Sequence, residues 1–380
     1  MEETNLSSIY NIGCLDAEDV VTYRYKGVNY IESFESMWKR LSMGLDSEVE
    51  EGEDKASYIV VKDVEVYDSV EKDFVTVQKV VRKVTSGWSD LRFSNGRVLR
   101  CSGSYPFETV NRGIVFANDL CSSDIINVNK YIDLGSSSYY SMKEIKKAWM
   151  YGVSLRNSYC LDNLFGIKLL SNKVKVLKQF NNYASELYDL TESGIVSVDD
   201  GSSGNYMLLS LESSELVHEY KRESVNNRLI PPYIWNSSRD IRLSFLAGIV
   251  DSGSYVDING NNAKIQVCID TKELALQVMY LVQSLGYCCR VYKNYYSSDD
   301  LNKVIYICEF DSFSDLNYFM IETMKCCNID RVANQSLQTY DTISITDKIN
   351  LSYEDYGYSL VTDSGHFDVS GIYVCDCEVV

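Results

Sequence analysis

The feature that most constrains this chain is a pattern that occurs twice in its middle. Ser141-Met-Lys-Glu144 is a capping box, in which a serine hydroxyl and a glutamate carboxylate close a helix's first turn. It predicts an amphipathic helix to about Tyr151. Ser237-Ser-Arg-Asp240 predicts a matching helix through Ile241, Leu243, Phe245, Leu246 and Ile249, starting 96 residues later. An alternating hairpin follows from Tyr255 to Ile269, turning at Asn259-Gly260. A helix then runs from Thr271 to Leu285 with Gly286 as its stop, a second hairpin spans about Tyr287 to Phe310, and another helix starts near Ser314. The first copy reads as a helix from about Asn172 to Leu187, a hairpin from Gly194 to Leu211 turning at Asp199-Asp200-Gly201, and a helix from Ser213 to Arg222. Two such copies predict one pseudo-two-fold α/β module.

The flanks are different. Residues 14–135 and 336–376 are rich in short alternating strands, such as Ile59 to Val66, Phe74 to Val84 and Val98 to Val115. Neither flank alone completes a barrel or sandwich. Together they predict one all-β domain interrupted at a surface loop by the α/β module, an insertion that leaves the host core intact.

Charge and cysteine usage narrow the function. A net charge of −18 argues against a general nucleic-acid binder. Residues 141–331 hold 20 Lys/Arg against 23 Asp/Glu, so the acidity sits mostly outside the middle. The lysines of 143–147 and 173–178 read as solvated helix faces. The 12 cysteines form no CxxC pairs, which argues against zinc, and most read as small core residues. The opening MEETNLSSIYNIG lacks the pattern of a signal peptide, and no apolar run reaches the roughly 18 residues of a membrane span. Reduced thiols in an intracellular, cytoplasmic protein away from membranes are expected.

Three segments carry chemistry. The first opens at Cys14 (CLDAEDVV). The second is Gly96 to Val110 (GRVLRCSGSYPFETV), continued by Arg112 to Ala117 and Asp119-Leu120. The third is Thr362 to Val374 (TDSGHFDVSGIYV), followed by Cys375-Asp376-Cys377. In order and spacing they resemble the splicing blocks of inteins, over nearly all of residues 14–377. The resemblance implies a Hint (horseshoe-like) β fold and autocatalytic protein splicing. Cys14 would attack the Gly13 carbonyl in an N–S acyl shift. Cys377 would take over the thioester by transthioesterification. Residue 376 would then cyclise and release the intein. Residues 1–13 and 377–380 would be extein segments, the chain's own partners, and 14–135 and 336–376 the two parts of the splicing domain.

The departures from the family lie in those blocks. Ser102-Gly-Ser-Tyr105 stands where the family has Thr-x-x-His, so Tyr105 replaces a histidine that helps protonate the leaving amide. Cys375 replaces the penultimate histidine and Asp376 the terminal asparagine. Of two histidines, His218 and His366, only His366 lies in a splicing block. Loss of a general acid or base costs about 10²–10⁴-fold, and a carboxylate at 376 would pass through an anhydride. The expectation is slow or conditional splicing, with Tyr105 as hydrogen-bond donor, Cys375 as weak acid, and no cofactor.

The module, 136–335, has its own resemblance. Arg228 to Val256 is similar to the run that includes the second LAGLIDADG helix of homing endonucleases, with Leu246 to Ser254 (LAGIVDSGS) as its core. Met150 to Ser158 (MYGVSLRNS) is the first copy. The family's topology is αββαββα, here repeated. Gly152 and Gly248 fit the small residues through which the two helices pack. The metal-binding acids fall at Asn157 and Gly253, where a divalent metal would find no paired oxygen ligands. Asp251 is a displaced ligand or, more simply, a helix residue in solvent. Nuclease activity is expected to be lost; Mg²⁺ would be needed only if it survives. The competing functions are a self-processing intein acting as a monomer, a homing endonuclease that binds and cuts double-stranded DNA, and an inert folded relic.

Overall fold

The computed structural model describes residues 13–44, 49–51, 56–135, 141–160, 166–198, 206–222, 228–259, 262–298, 301–321 and 340–376. Cys377 and the hairpin turns assigned to residues 199–201 and Gly260 lie outside them. The chain forms two compact units, one of residues 1–133, 290–293 and 337–380, the other of 134–289 and 294–336.

The first unit begins with β1 (Leu15–Asp16), β2 (Val20–Tyr25) and β3 (Val28–Ser33), then helix α1 (Phe34–Ser42). This helix is an addition to the expected strands. Ser33 caps it by accepting from the Ser36 N–H. Phe34, Met37, Trp38 and Leu41 are its buried stripe. Phe34 stacks on Tyr358 and meets Phe367 edge-on, which ties α1 to the closing segment.

Next come β4 (Val49–Glu51), β5 (Ala56–Val60), β6 (Val64–Asp68) and the 21-residue β7 (Asp73–Phe93). The run Ile59 to Val66, read as one strand, is therefore two, broken at Asp63 with φ of 56°. Then follow β8 (Val98–Ser102), β9 (Pro106–Thr109), β10 (Gly113–Phe116) and β11 (Ile125–Asn129).

The second unit contains α2 (Met142–Asn157), β12 (Ser158–Cys160), β13 (Gly166–Ser171), α3 (Val174–Leu187), β14 (Glu192–Val198), β15 (Tyr206–Glu212) and α4 (Ser214–Arg222). After a short α5 (Pro232–Trp235) the order recurs as α6 (Arg239–Gly253), β16 (Tyr255–Asn259), β17 (Asn262–Ile269), α7 (Lys272–Ser284), β18 (Arg290–Ser298, of which 290–293 are grouped with the first unit), β19 (Leu301–Asp311) and α8 (Ser314–Phe319). The sheets run β12-β13-β15-β14 and β16-β17-β19-β18, the same order in both copies. The β12–β13 pair is the hairpin that the sequence pattern did not announce. The capping box forms as expected: the Ser141 N–H donates to Glu144 Oε2 at 2.8 Å and the Glu144 N–H to Ser141 Oγ at 3.3 Å.

The chain returns to the first unit in the 23-residue β20 (Tyr340–Thr362), then β21 (His366–Val369) and β22 (Ile372–Cys375). β20 pairs antiparallel with β7 from Ile345↔Phe93 to Thr362↔Val77, through three register shifts. Its first residues pair with β11 and Tyr358 and Gly357 pair with β1. One β scaffold is thus assembled from both flanks. Its core includes Val21, Phe34, Val80, Leu91, Leu99, Phe107, Ile126, Leu360 and Phe367.

Candidate functional site

β1 is only two residues long and has partners on both edges. Leu15 pairs with Cys101 of β8 on one side and Tyr358 of β20 on the other. This register sets Cys14 beside Ser102. The Cys14 N–H donates to Ser102 Oγ at 2.8 Å, and the Ser102 N–H donates to the Cys14 carbonyl at 2.8 Å. The Cys14 side chain is buried and lies against Gly357. A Cβ at Gly357 would fall 2.4 Å from Cys14 Cβ and 2.9 Å from the Trp88 ring, so only glycine leaves room for the thiol. Burial pushes that thiol up to about 12; the charge of Lys83 pulls the other way.

Gly13 precedes the thiol and rests on Tyr105. A Cβ on Gly13 would lie 2.5 Å from Tyr105 Cα and 3.0 Å from its ring. Tyr105 is held by Tyr105 N–H to Ser102 O (3.0 Å) and Ala117 N–H to Tyr105 O (2.8 Å). Its ring is fully buried, edge-on to Phe107. Its hydroxyl crosses to the chain's other end and donates to the Cys375 carbonyl at 2.8 Å.

That end is the β21–β22 hairpin. Its turn is Ser370-Gly371, at φ 51° and 73°, the left-handed pair that a two-residue hairpin turn requires. Alternation then sorts the side chains: Phe367, Val369, Ile372 and Val374 join the core cluster, while His366, Asp368, Tyr373 and Cys375 share the opposite face. Asp376 follows, buried. Its N–H donates to Gly365 O at 2.8 Å, and its Oδ2 accepts from the Thr362 N–H at 2.8 Å and Thr362 Oγ1 at 3.2 Å.

Cys375 is buried too, and burial first, then the charges of Glu108 and Asp376, push its thiol up to about 12 against a hydrogen bond from the Glu108 N–H. His366 is Cys375's cross-strand partner. Its Nε2 lies 3.4 Å from Glu108 Oε2, its Nδ1 3.2 Å from Ser364 O, and its ring stacks on Tyr373.

Gly13, Cys14, Ser102, Tyr105, His366, Cys375 and Asp376 therefore all lie in the first unit. Sequence reasoning gave no role to Glu108, Thr362, Gly357 or Lys83. Only Gly357 carried a signal, as a lone glycine in a strand pattern.

The second unit pairs α2 and α6 through two glycines. A Cβ at Gly152 would lie 2.1 Å from Phe245 O, and one at Gly248 2.2 Å from Trp149 O. Asn157 and Gly253 end the two helices. Asp251 corrects an expectation: it is not in solvent. It is 2% exposed, and its Oδ2 accepts from Trp149 Nε1 at 2.8 Å and the Ile321 N–H at 3.0 Å. Trp149 belongs to the other copy, so a buried indole and an amide claim an oxygen that a displaced metal ligand would need. Among the described residues no three His, Cys, Asp or Glu gather to hold a metal ion. Lys147 pairs with Glu219 at 2.6 Å and Lys146 with Glu186.

The chain is similar in part to several known proteins. Residues 229–320 match the family model described as homing endonuclease. Among solved structures the chain is similar to the transcription factor IIB Mvu mini-intein, at 21% identity and a TM-score of 0.28 over 32% of this chain and 70% of that one. It is also similar to I-DmoI in complex with DNA and Ca, at 15% identity and a TM-score of 0.33 over 47% of this chain and 88% of that one. An uncharacterized protein of Methanocaldococcus jannaschii is 25% identical over 208 residues, covering 50% of this chain and 23% of that protein. This chain thus spans about a quarter of that curated relative's length. The resemblance is to inteins carrying a LAGLIDADG homing endonuclease domain.

Proposed function

We propose that the chain excises its own middle by protein splicing. The observation that carries this reading is Tyr105: its backbone and ring pack on Gly13 while its hydroxyl binds the Cys375 carbonyl at 2.8 Å. One buried side chain thereby touches both ends of the 14–376 segment. Such proximity turns a reaction between remote residues into an intramolecular one.

The chemistry is then written on four groups. The Cys14 sulfur bonds to the Gly13 carbonyl carbon, the Gly13–Cys14 C–N bond breaks, and the thiol proton ends on the freed amine. The Ser102 hydroxyl, already on that nitrogen, is placed to relay the proton. The Cys377 sulfur next displaces the Cys14 sulfur from the thioester. Last, an Asp376 carboxylate oxygen bonds to its own carbonyl carbon, the Asp376–Cys377 C–N bond breaks with protonation of the leaving amine, and water opens the anhydride. Thr362 holds the Asp376 carboxylate by two donors. Residues 1–13 and those from 377 onward are the segments joined, and 136–335 is the insert.

The reaction is slow in this reading. The Cys14 thiol is pushed up to about 12, leaving little of the attacking thiolate at neutral pH. Neither imidazole of the family's pattern is present at 105 or 375.

Mass spectrometry of purified protein with excess thiol tests it. Release of the segment before Cys14, abolished by Cys14→Ala and independent of protein concentration, is the expected result. An intact chain at all times leaves the inert relic. The match of residues 229–320 keeps a DNA-cutting reading in view; incubation of supercoiled plasmid with Mg²⁺ is expected to leave it intact.

A further inference from the structure

The departure at residue 375 has a counterpart on the facing strand. The family's imidazole at that position is a thiol here, yet His366 sits directly across the ladder from it. Cross-strand partners have Cβ atoms about 5 Å apart. We propose that Glu108, which the splicing resemblance assigns no role, is the positioning residue that holds this cross-strand imidazole and the Cys375 thiol together for release at Asp376. The proposal rests on the splicing reading.

Glu108 acts through two separate groups. Its main-chain N–H lies on the Cys375 thiol's side and favours the charged form of that thiol, against the burial that disfavours it. Its carboxylate lies 3.4 Å from His366 Nε2. β9 fixes this arrangement: Phe107 fills the core, and Glu108 pairs with Ile114 in the β9–β10 ladder. The imidazole is fixed on three sides, by Glu108 at Nε2, by the Ser364 carbonyl at Nδ1, and by the Tyr373 ring beneath it at 5.1 Å. Both ring nitrogens face acceptors. A neutral imidazole has one N–H and satisfies one of them; an imidazolium satisfies both. The ring is therefore held where it can supply a proton beside the Cys375–Asp376 main chain, and the leaving amine of residue 377 needs one. The imidazole reaches this place across a hairpin instead of along the chain.

Glu108→Gln tests this with a split readout. Release at Asp376 is expected to fall about tenfold or more, while thiol-triggered release at Cys14 changes less than about twofold. Glu108→Asp is expected to recover part of the first rate. Equal loss at both ends, or no loss at either, overturns the proposal. The imidazole resonances give a reading that cleavage does not control. The chain has two histidines, so His218→Gln assigns those of His366. Glu108→Gln is expected to shift the His366 ring nitrogens at fixed pH, and unshifted resonances overturn the proposal. A parent protein that releases neither end sinks the splicing reading by itself, and the resonances then still decide whether Glu108 holds the ring.

Discussion

Ser102 and Cys14 are joined twice, once through the Ser102 side chain and once through its main chain, each at 2.8 Å. The side-chain bond falls on the nitrogen that must become an amine if the Gly13–Cys14 bond is rearranged. The main-chain bond fixes the residue that carries the nucleophile. Ser102→Ala keeps the second and loses the first. Thiol-triggered release at Cys14 is expected to fall by about tenfold to a hundredfold, with folding intact by circular dichroism. An unchanged rate would remove Ser102 from the chemistry.

Tyr105 separates a structural from a chemical role. Tyr105→Phe keeps the ring packed on Gly13 and Phe107 and deletes the hydroxyl that binds Cys375 O. Leaving that buried carbonyl short of a donor is expected to cost about 1–3 kcal/mol of stability, read as a lower denaturation midpoint. Tyr105→His introduces the imidazole of the family's pattern, and faster release at Cys14 is the expected outcome. Equal or slower release would mean that the position does not protonate the leaving nitrogen.

Burial of Cys14 sets the pH dependence of the first step. With its thiol pushed up to about 12, the thiolate fraction grows about tenfold per pH unit through the neutral and mildly alkaline range. Release with saturating trapping thiol is expected to keep rising past pH 9. A plateau near pH 8 would show an exposed or activated thiol instead.

Asp368 is fully buried, accepts from Ser69 Oγ at 3.0 Å, and is pushed up to about 7, first by burial and then by the charge of Asp68. Its folded-state value is raised, so its contribution to stability is fully present below the ordinary carboxylate value near 4 and is lost as pH rises through about 7. Asp368→Asn keeps an acceptor for Ser69 and removes the charge. The variant is expected to match the parent at pH 4 and to exceed it at pH 8, by up to about 4 kcal/mol. Thermal denaturation at the two pH values checks the sign.

Asp251 is expected to matter for folding and not for DNA. Asp251→Ala leaves Trp149 Nε1 and the Ile321 N–H without that acceptor in a buried place. A loss of about 1–3 kcal/mol is expected, with plasmid nicking absent before and after. Metal-dependent nicking by the parent, lost in the variant, would reverse the assignment.

The repeat in the second unit was readable because helix and hairpin periods leave marks within a few residues of each other. The capping box at Ser141 and the stop at Gly286 are local facts, and the structure keeps them. The β12–β13 hairpin was not readable, since β12 is three residues and the run through Leu161 and Phe165 does not alternate. Helix α1 has a clear 3.6-residue stripe, but it sits among strands and was passed over. In the candidate site, the residues quoted from the three blocks share one unit because the blocks themselves are short. Their partners are another matter. Glu108 meets Cys375, Thr362 meets Asp376 and Gly357 meets Cys14 only through strand register, and no periodicity within a strand encodes which residue faces it on the next. The burial of Asp251 comes from helix packing and is equally hidden, because its indole donor lies 102 positions earlier.

The contact of Gly152 with Gly248 has a consequence for how this chain can change. Carbonyl oxygens about 2 Å from where a methyl would stand admit no larger residue at either position without prising the helices apart. The last turns of the same helices carry Asn157 and Gly253. Along a few ångströms of helix, then, substitution is barred where the two backbones touch, and that close seam holds the two copies together whatever residues stand at the helix ends.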